Sequence, residues 1–130
     1  MASIFTKIIT GEIPCYKIEE TEDCLAFLDI SPLSIGHALV IPKKEVDFYY
    51  DLDDNLFQKV NDLAKKVSHA IKKTVPCERV GVAVIGLEVP HAHVHLVPIN
   101  AIADLNFTNE RIKLTSEEFL DIAERISANL

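Results

Sequence analysis

A chain of 130 residues, 48% hydrophobic and 25% charged, is long enough for one domain with a core of its own and too apolar for a disordered protein. Its formal charge of −7 excludes a surface built to wrap a long nucleic acid, which needs clustered Lys and Arg to displace counterions, but leaves room for a single nucleotide. Cys15, Cys24 and Cys77 form neither a CxxC pair nor an even set, and no apolar run approaches the ~18 residues of a spanning helix, so a disulfide framework, a sulfur-rich metal site and a membrane partner are all unsupported and a cytoplasmic setting is expected.

Ser3 can cap the apolar run IFTKII, which Gly11 and Pro14 end, giving a short N-terminal helix. YKIEE, CLAFLD and HALVIP then read as three strands joined by turn formers, an arrangement that favours an antiparallel meander. In DLDDNLFQKVNDLAKKVSHAIKK, Leu52, Leu56, Val60, Leu63, Val67 and Ile71 recur every three or four residues, which predicts a long helix capped by Asp51 or Asp53 and stopped by Pro76. His69 falls opposite that stripe and is expected to be solvated. VGVAVI and HAHVHLVP read as two further strands joined by GLEVP. TSEEFLDIAERISANL opens with a capping box, Thr115 and Glu118, and places Phe119, Ile122, Ala123, Ile126 and Leu130 on one face of a C-terminal helix. The expectation is a single α+β domain over residues 1–130, with about five antiparallel strands, one long helix between the third and fourth, a short N-terminal helix and a C-terminal helix.

Within PHAHVHLVPI, side chains of a strand alternate faces, so His91, His93 and His95 would point one way and Ala92, Val94 and Leu96 the other. A core would prefer aliphatic residues on both faces, because each unsatisfied buried ring nitrogen costs about 1 to 3 kcal/mol. One metal does not account for the row: same-face neighbours on a strand are about 6.6 Å apart, too far for all three rings to converge, though a site using two of them remains open. Acid, base and nucleophile chemistry uses the whole row, since one imidazole can attack while its neighbour donates a hydrogen bond. A phosphoryl centre is the matching electrophile. GVAVIG is neither a GxGxxG nor a Walker sequence, so the histidines themselves must supply the phosphate site.

HAHVHLV, with IFTKIITGEIP, CLAFLDISPLSIGHALVIPKK and the long helix, resembles the histidine-triad family over roughly residues 3 to 98. The resemblance implies a HIT-like α+β fold and a homodimeric nucleotide hydrolase or transferase, similar to those that release AMP from an amine, acyl or phosphate leaving group. It implies that His93 attacks the α-phosphorus and becomes transiently nucleotidylated, that His95 donates a hydrogen bond to the phosphate or leaving group, and that His91 and His37 belong to the supporting relay. It implies a purine nucleotide substrate, with Asp29 on the ribose, Ile4, Phe5, Ile8, Phe27 and Ile30 around the base, and Glu88 and Val89 in the nucleotide-binding loop. No cofactor is implied. Read alone, Asp29 is better taken as a turn carboxylate, and the apolar positions equally as ordinary core.

The chain also departs from the family pattern. Ser3 and Thr6 stand where many members carry the two cysteines of a zinc site, and Glu45 stands where a histidine often completes it, so no metal is expected. Leu87 and Glu88 replace a Gln-Ser or Gln-Thr pair that contacts phosphate oxygens. Glu88 brings negative charge to an anion site, which keeps open a second reading, a noncatalytic purine-nucleotide-binding or interaction module.

Overall fold

In the computed structural model, which describes residues 2–130, five strands form one antiparallel sheet: β1 (Lys17–Glu20), β2 (Cys24–Leu28), β3 (Ala38–Pro42), β4 (Arg79–Ala83) and β5 (Val94–Ile99), ordered β1-β2-β3-β5-β4. Three helices accompany it: α1 (Ile4–Ile9), α2 (Asp54–Thr74) and α3 (Ser116–Ala128). The caps read from the sequence are in place. The Ser3 hydroxyl accepts from the Thr6 N–H, Asp53 rather than Asp51 caps α2 through the Leu56 N–H, and Thr115 and Glu118 form the reciprocal box of α3.

Period-two alternation divides the sheet between two cores. On one face Cys24, Ala26, Leu28, Ala38, Val40, Ala92, Val94 and Leu96 pack against the α2 stripe of Leu56, Val60, Leu63, Val67 and Ile71 and against Phe119, Ile122 and Ile126 of α3. On the other face Leu25, Phe27, Leu39 and Ile41 pack against Phe5 of α1. β2 and β3 are buried on both faces for this reason, and each fully buried aliphatic side chain contributes about 1.5–3 kcal/mol. α1 covers only part of its face, and the cavities described below open beside it.

Two strand limits differ from the sequence reading. β4 runs over Arg79–Ala83, so Val84 and Ile85 lie beyond it, and β5 begins at Val94, leaving His91, Ala92 and His93 outside the strand. The ladder stops there because its neighbours do: β4 pairs β5 only from Ile99 back to His95, and on the other side Pro42 has no N–H to offer. The freed backbone finds other partners. His91 N–H donates to Val89 O at 2.8 Å and Ala92 N–H to Val46 O at 2.7 Å. The alternation nonetheless survives, since Ala92 stays in the helix-side core while the rings of His93 and His95 lie 4.9 Å apart and Phe5 touches both His91 and His93 edge-on.

Candidate active site

Backbone carbonyls and amides dictate which nitrogen of each histidine carries its proton. His93 Nδ1 lies 2.7 Å from the His91 carbonyl, an acceptor, so that nitrogen must hold a hydrogen, and the neutral tautomer this selects has its lone pair on Nε2. His37 Nδ1 accepts from the Leu33 N–H at 3.0 Å, which puts its proton on Nε2 and makes it the donor to His95 Nδ1 at 2.9 Å. His95 therefore carries its own hydrogen on Nε2. His91 Nε2 donates to Pro42 O at 2.8 Å, and its Nδ1 accepts from the Ser3 hydroxyl at 2.8 Å.

The result is one ring offering a lone pair beside another offering an N–H. Among the described residues no buried polar side-chain atom lacks a partner, so the residual exposure of His93 (6%) and His95 (7%) accounts for their unpaired Nε2 atoms. His37 and His91 are fully buried. Burial first, then neighbouring His95 and Arg111, pushes His37 down to about 3. Burial, then His93 and Arg111, pushes His95 down to about 4. Both imidazoles are neutral at neutral pH. Burial likewise lowers His91.

The predicted nucleotide contacts surround one cavity of about 200 Å³, whose walls include Ile4, Phe5, Ile8, Phe27, Asp29, Ile30, Glu88 and Val89, with His93 and His95 at one end. Core packing and pocket wall are not alternatives here. Phe5 (7% exposed) and Phe27 (3%) belong to the core, whereas Ile4 (49%) and Ile30 (71%) stand open at the rim. Asp29 likewise combines two roles: Oδ1 accepts the Ser31 N–H at 2.8 Å as a turn carboxylate would, and Oδ2, 3.5 Å from His37 Nε2, remains for a further donor. Burial raises its carboxyl above the usual value.

A second cavity, about 240 Å³, shares Asp29, Glu88, His93 and His95 with the first and is completed by Ile85, Gly86, Leu87, Phe107, Thr108 and Arg111. The last three residues come from the segment between β5 and α3, which has no helical or strand periodicity and gave no signal in the sequence. The Phe107 ring lies 4.6 Å from that of His95 and 6.1 Å from that of His37, so this segment meets the row at His95, whereas Phe5 of α1 meets it at His91 and His93.

Metal binding fits neither polar cluster well. Where the resemblance would place zinc ligands, Glu45 Oε1 accepts from the Ser3 N–H at 2.6 Å and the Thr6 hydroxyl at 2.7 Å, and Ser3 Oγ bonds His91. Hydroxyls replace thiolates, and a hydrogen-bond network joins α1 to the histidine segment. Those two contacts hold the exposed Glu45 carboxyl down to about 2. Ligand atoms of Asp29, His37 and His95 also lie within 4.8 Å of one another. The facing nitrogens of His37 and His95 are 2.9 Å apart, a hydrogen bond, and closer than the about 3.3 Å separating two nitrogens on one tetrahedral zinc.

An antiparallel five-stranded α+β sheet with a row of buried histidines beside two cavities is the arrangement of a histidine-triad fold. The HIT domain model matches residues 10–101, and the chain belongs to the HIT family. It is 36% identical over 132 residues to the adenosine 5'-monophosphoramidase hnt1 of Schizosaccharomyces pombe, covering 100% of this chain and 99% of that one. It is 36% identical over 135 residues to a HIT-like protein of Borreliella burgdorferi, covering 98% and 97%. The crystal structure of a Hit-like protein from Bartonella henselae superposes with a TM-score of 0.85 at 32% identity, over 98% of this chain and 96% of that one.

Proposed function

We propose that this protein hydrolyses nucleotides at the α-phosphorus, releasing a nucleoside monophosphate, AMP in the first instance, through a covalent intermediate on His93. One observation carries the reading: the His91 carbonyl holds the proton of His93 on Nδ1, which leaves the Nε2 lone pair at the junction of two cavities. Nε2 attacks phosphorus and forms a P–N bond as the bond to the leaving group breaks. His95 Nε2–H donates a hydrogen bond to the phosphate or leaving atom, held in that tautomer by His37. Water then attacks the same phosphorus, the P–N bond breaks, and the monophosphate leaves. The apolar cavity takes the base and Asp29 Oδ2 the ribose hydroxyls. The similarity to a named adenosine 5'-monophosphoramidase supports this choice of substrate.

Incubation with adenosine 5'-phosphoramidate is expected to release AMP in the wild type and not in His93→Ala. Tight AMP binding with no turnover on several leaving groups would favour the noncatalytic reading, for which the Glu88 carboxylate at both cavities is the supporting observation.

The working form is a homodimer in this reading. β4 is a sheet edge, and beside it Phe48 (60% exposed), Tyr50 (72%), Val82 (61%), Val84 (40%) and Ile85 (44%) surround a groove of about 560 Å³ that His93 also lines. A second copy burying that face would produce twice the chain mass in light scattering; a monomeric mass would contradict it.

A further inference from the structure

The second cavity carries chemistry that the histidines do not. An anion placed there needs positive charge, and the imidazoles of His37 and His95 are neutral at neutral pH because burial and their neighbours depress them. Asp29 and Glu88 line the same space and oppose an anion. Among the described residues, Arg111 is the one Lys or Arg lining either cavity.

Its placement is fixed from three sides. Nη1 donates to Ser31 O at 2.6 Å, Nη2 donates to Phe107 O at 3.3 Å, and the guanidinium lies 5.6 Å from the centre of the Phe107 ring. Both acceptors are carbonyls, and Asp29, the carboxylate of this cavity that feels the Arg111 charge, makes no ion pair with it. A guanidinium has five N–H donors in a planar fork suited to oxyanions, and two such contacts leave others to turn toward the cavity. Phe107 lies against both this cation and the His95 ring, 4.6 Å away, and so links the two. The Phe107–Arg111 stretch thus brings to the site the charge that Leu87 and Glu88, at the rim of the same cavity, do not supply.

We propose that the cavity bounded by Phe107, Thr108 and Arg111 is the leaving-group subsite and that Arg111 is its anion-binding residue, selecting nucleotides whose group beyond the α-phosphate is an anionic oxyacid over those ending in an uncharged amine. This rests on the nucleotide reading above and adds to it the chemical class of the leaving group.

Calorimetry with AMP and with the non-hydrolysable α,β-methylene analogue of ADP separates the two. The analogue adds one phosphonate where the leaving group would sit, so the ratio of its affinity to that of AMP isolates the subsite. The wild type is expected to bind the analogue at least about tenfold more tightly than AMP, in keeping with a charge-assisted contact. Arg111→Gln should bring that ratio to near one while AMP affinity changes less than about threefold, and Arg111→Lys should restore part of the ratio because it keeps the charge. Thermal unfolding of all three proteins confirms that the comparison is between folded chains. An unchanged ratio in Arg111→Gln, or equal losses for both ligands, overturns the subsite and leaves the nucleotide reading standing. Failure of the wild type to bind AMP overturns both.

Discussion

His91 and His95 flank His93 at the same distance in sequence and differ in what their second nitrogen meets. Both His91 nitrogens are engaged, by Ser3 and by Pro42, and the ring is fully buried. His95 has one nitrogen engaged, by His37, and borders both cavities with the other free. One residue type is thus an internal brace at one end of the row and, at the other, a cavity wall with one nitrogen unengaged. The hydrogen bonds of the second nitrogen, not the identity of the side chain, separate the two. His93 stands between them, braced through the His91 carbonyl at Nδ1 and lining both cavities.

Breaking the centre should have the largest effect. His93→Ala is expected to lower AMP release from adenosine 5'-phosphoramidate by about a thousandfold or more, as for loss of a covalent nucleophile, while AMP still binds by calorimetry. Retained turnover would remove His93 from its assigned role.

His91→Ala sharpens the contrast because its cost should fall on folding. It empties a fully buried site and leaves the Ser3 hydroxyl and Pro42 carbonyl without their partner, so denaturant unfolding should show a loss of about 2–4 kcal/mol. His95→Asn should be milder in that assay and more damaging to turnover.

Acid provides a third comparison. Burial pushes His37 down to about 3 and His95 down to about 4 in the folded chain, against 6.5 when unperturbed, so between about pH 6.5 and 4 these two groups bind up to two more protons in the unfolded state than in the native one. Unfolding free energy therefore rises with pH across that window and is lost as pH falls, by up to about 1.4 kcal/mol per pH unit for each proton. Chemical denaturation at pH 7 and pH 5 checks the slope, and His37→Phe, which removes one of the two groups, should flatten it.

The smallest effects belong to the network around Ser3. Ser3→Ala removes both the cap of α1 and the partner of His91 Nδ1, for a loss of about 1–2 kcal/mol, whereas Ser3→Thr keeps a hydroxyl and should lose less. Treatment with a chelator should change neither stability nor turnover, because hydrogen bonds from Ser3, Thr6 and Glu45 stand where a metal would brace the helix.

Much of this was legible in the chain because it depends on local periods. The α2 stripe, the caps at Ser3, Asp53 and Thr115 and the strand alternation each lie within a few residues. The limits of β5 did not, since they depend on Pro42 and on where β4 ends, partners 49 residues before and eight residues before His91. The expectation of a strand through His91 failed on that account. Whether Phe5 or Ile4 faces core or ligand also required the fold, because both are apolar and adjacent. Arg111 and Phe107 were invisible for a related reason: they lie in an aperiodic segment, and only tertiary packing brings them to His95.

The central claim is that phosphorus becomes bonded to His93, and intact-protein mass spectrometry after rapid alkaline quench of a reaction with adenosine 5'-phosphoramidate tests it most directly. The account predicts a transient gain of one adenylyl group, mapped to His93 and missing in His93→Ala. AMP release with no such adduct at any quench time, or an adduct that persists in His93→Ala, would contradict it.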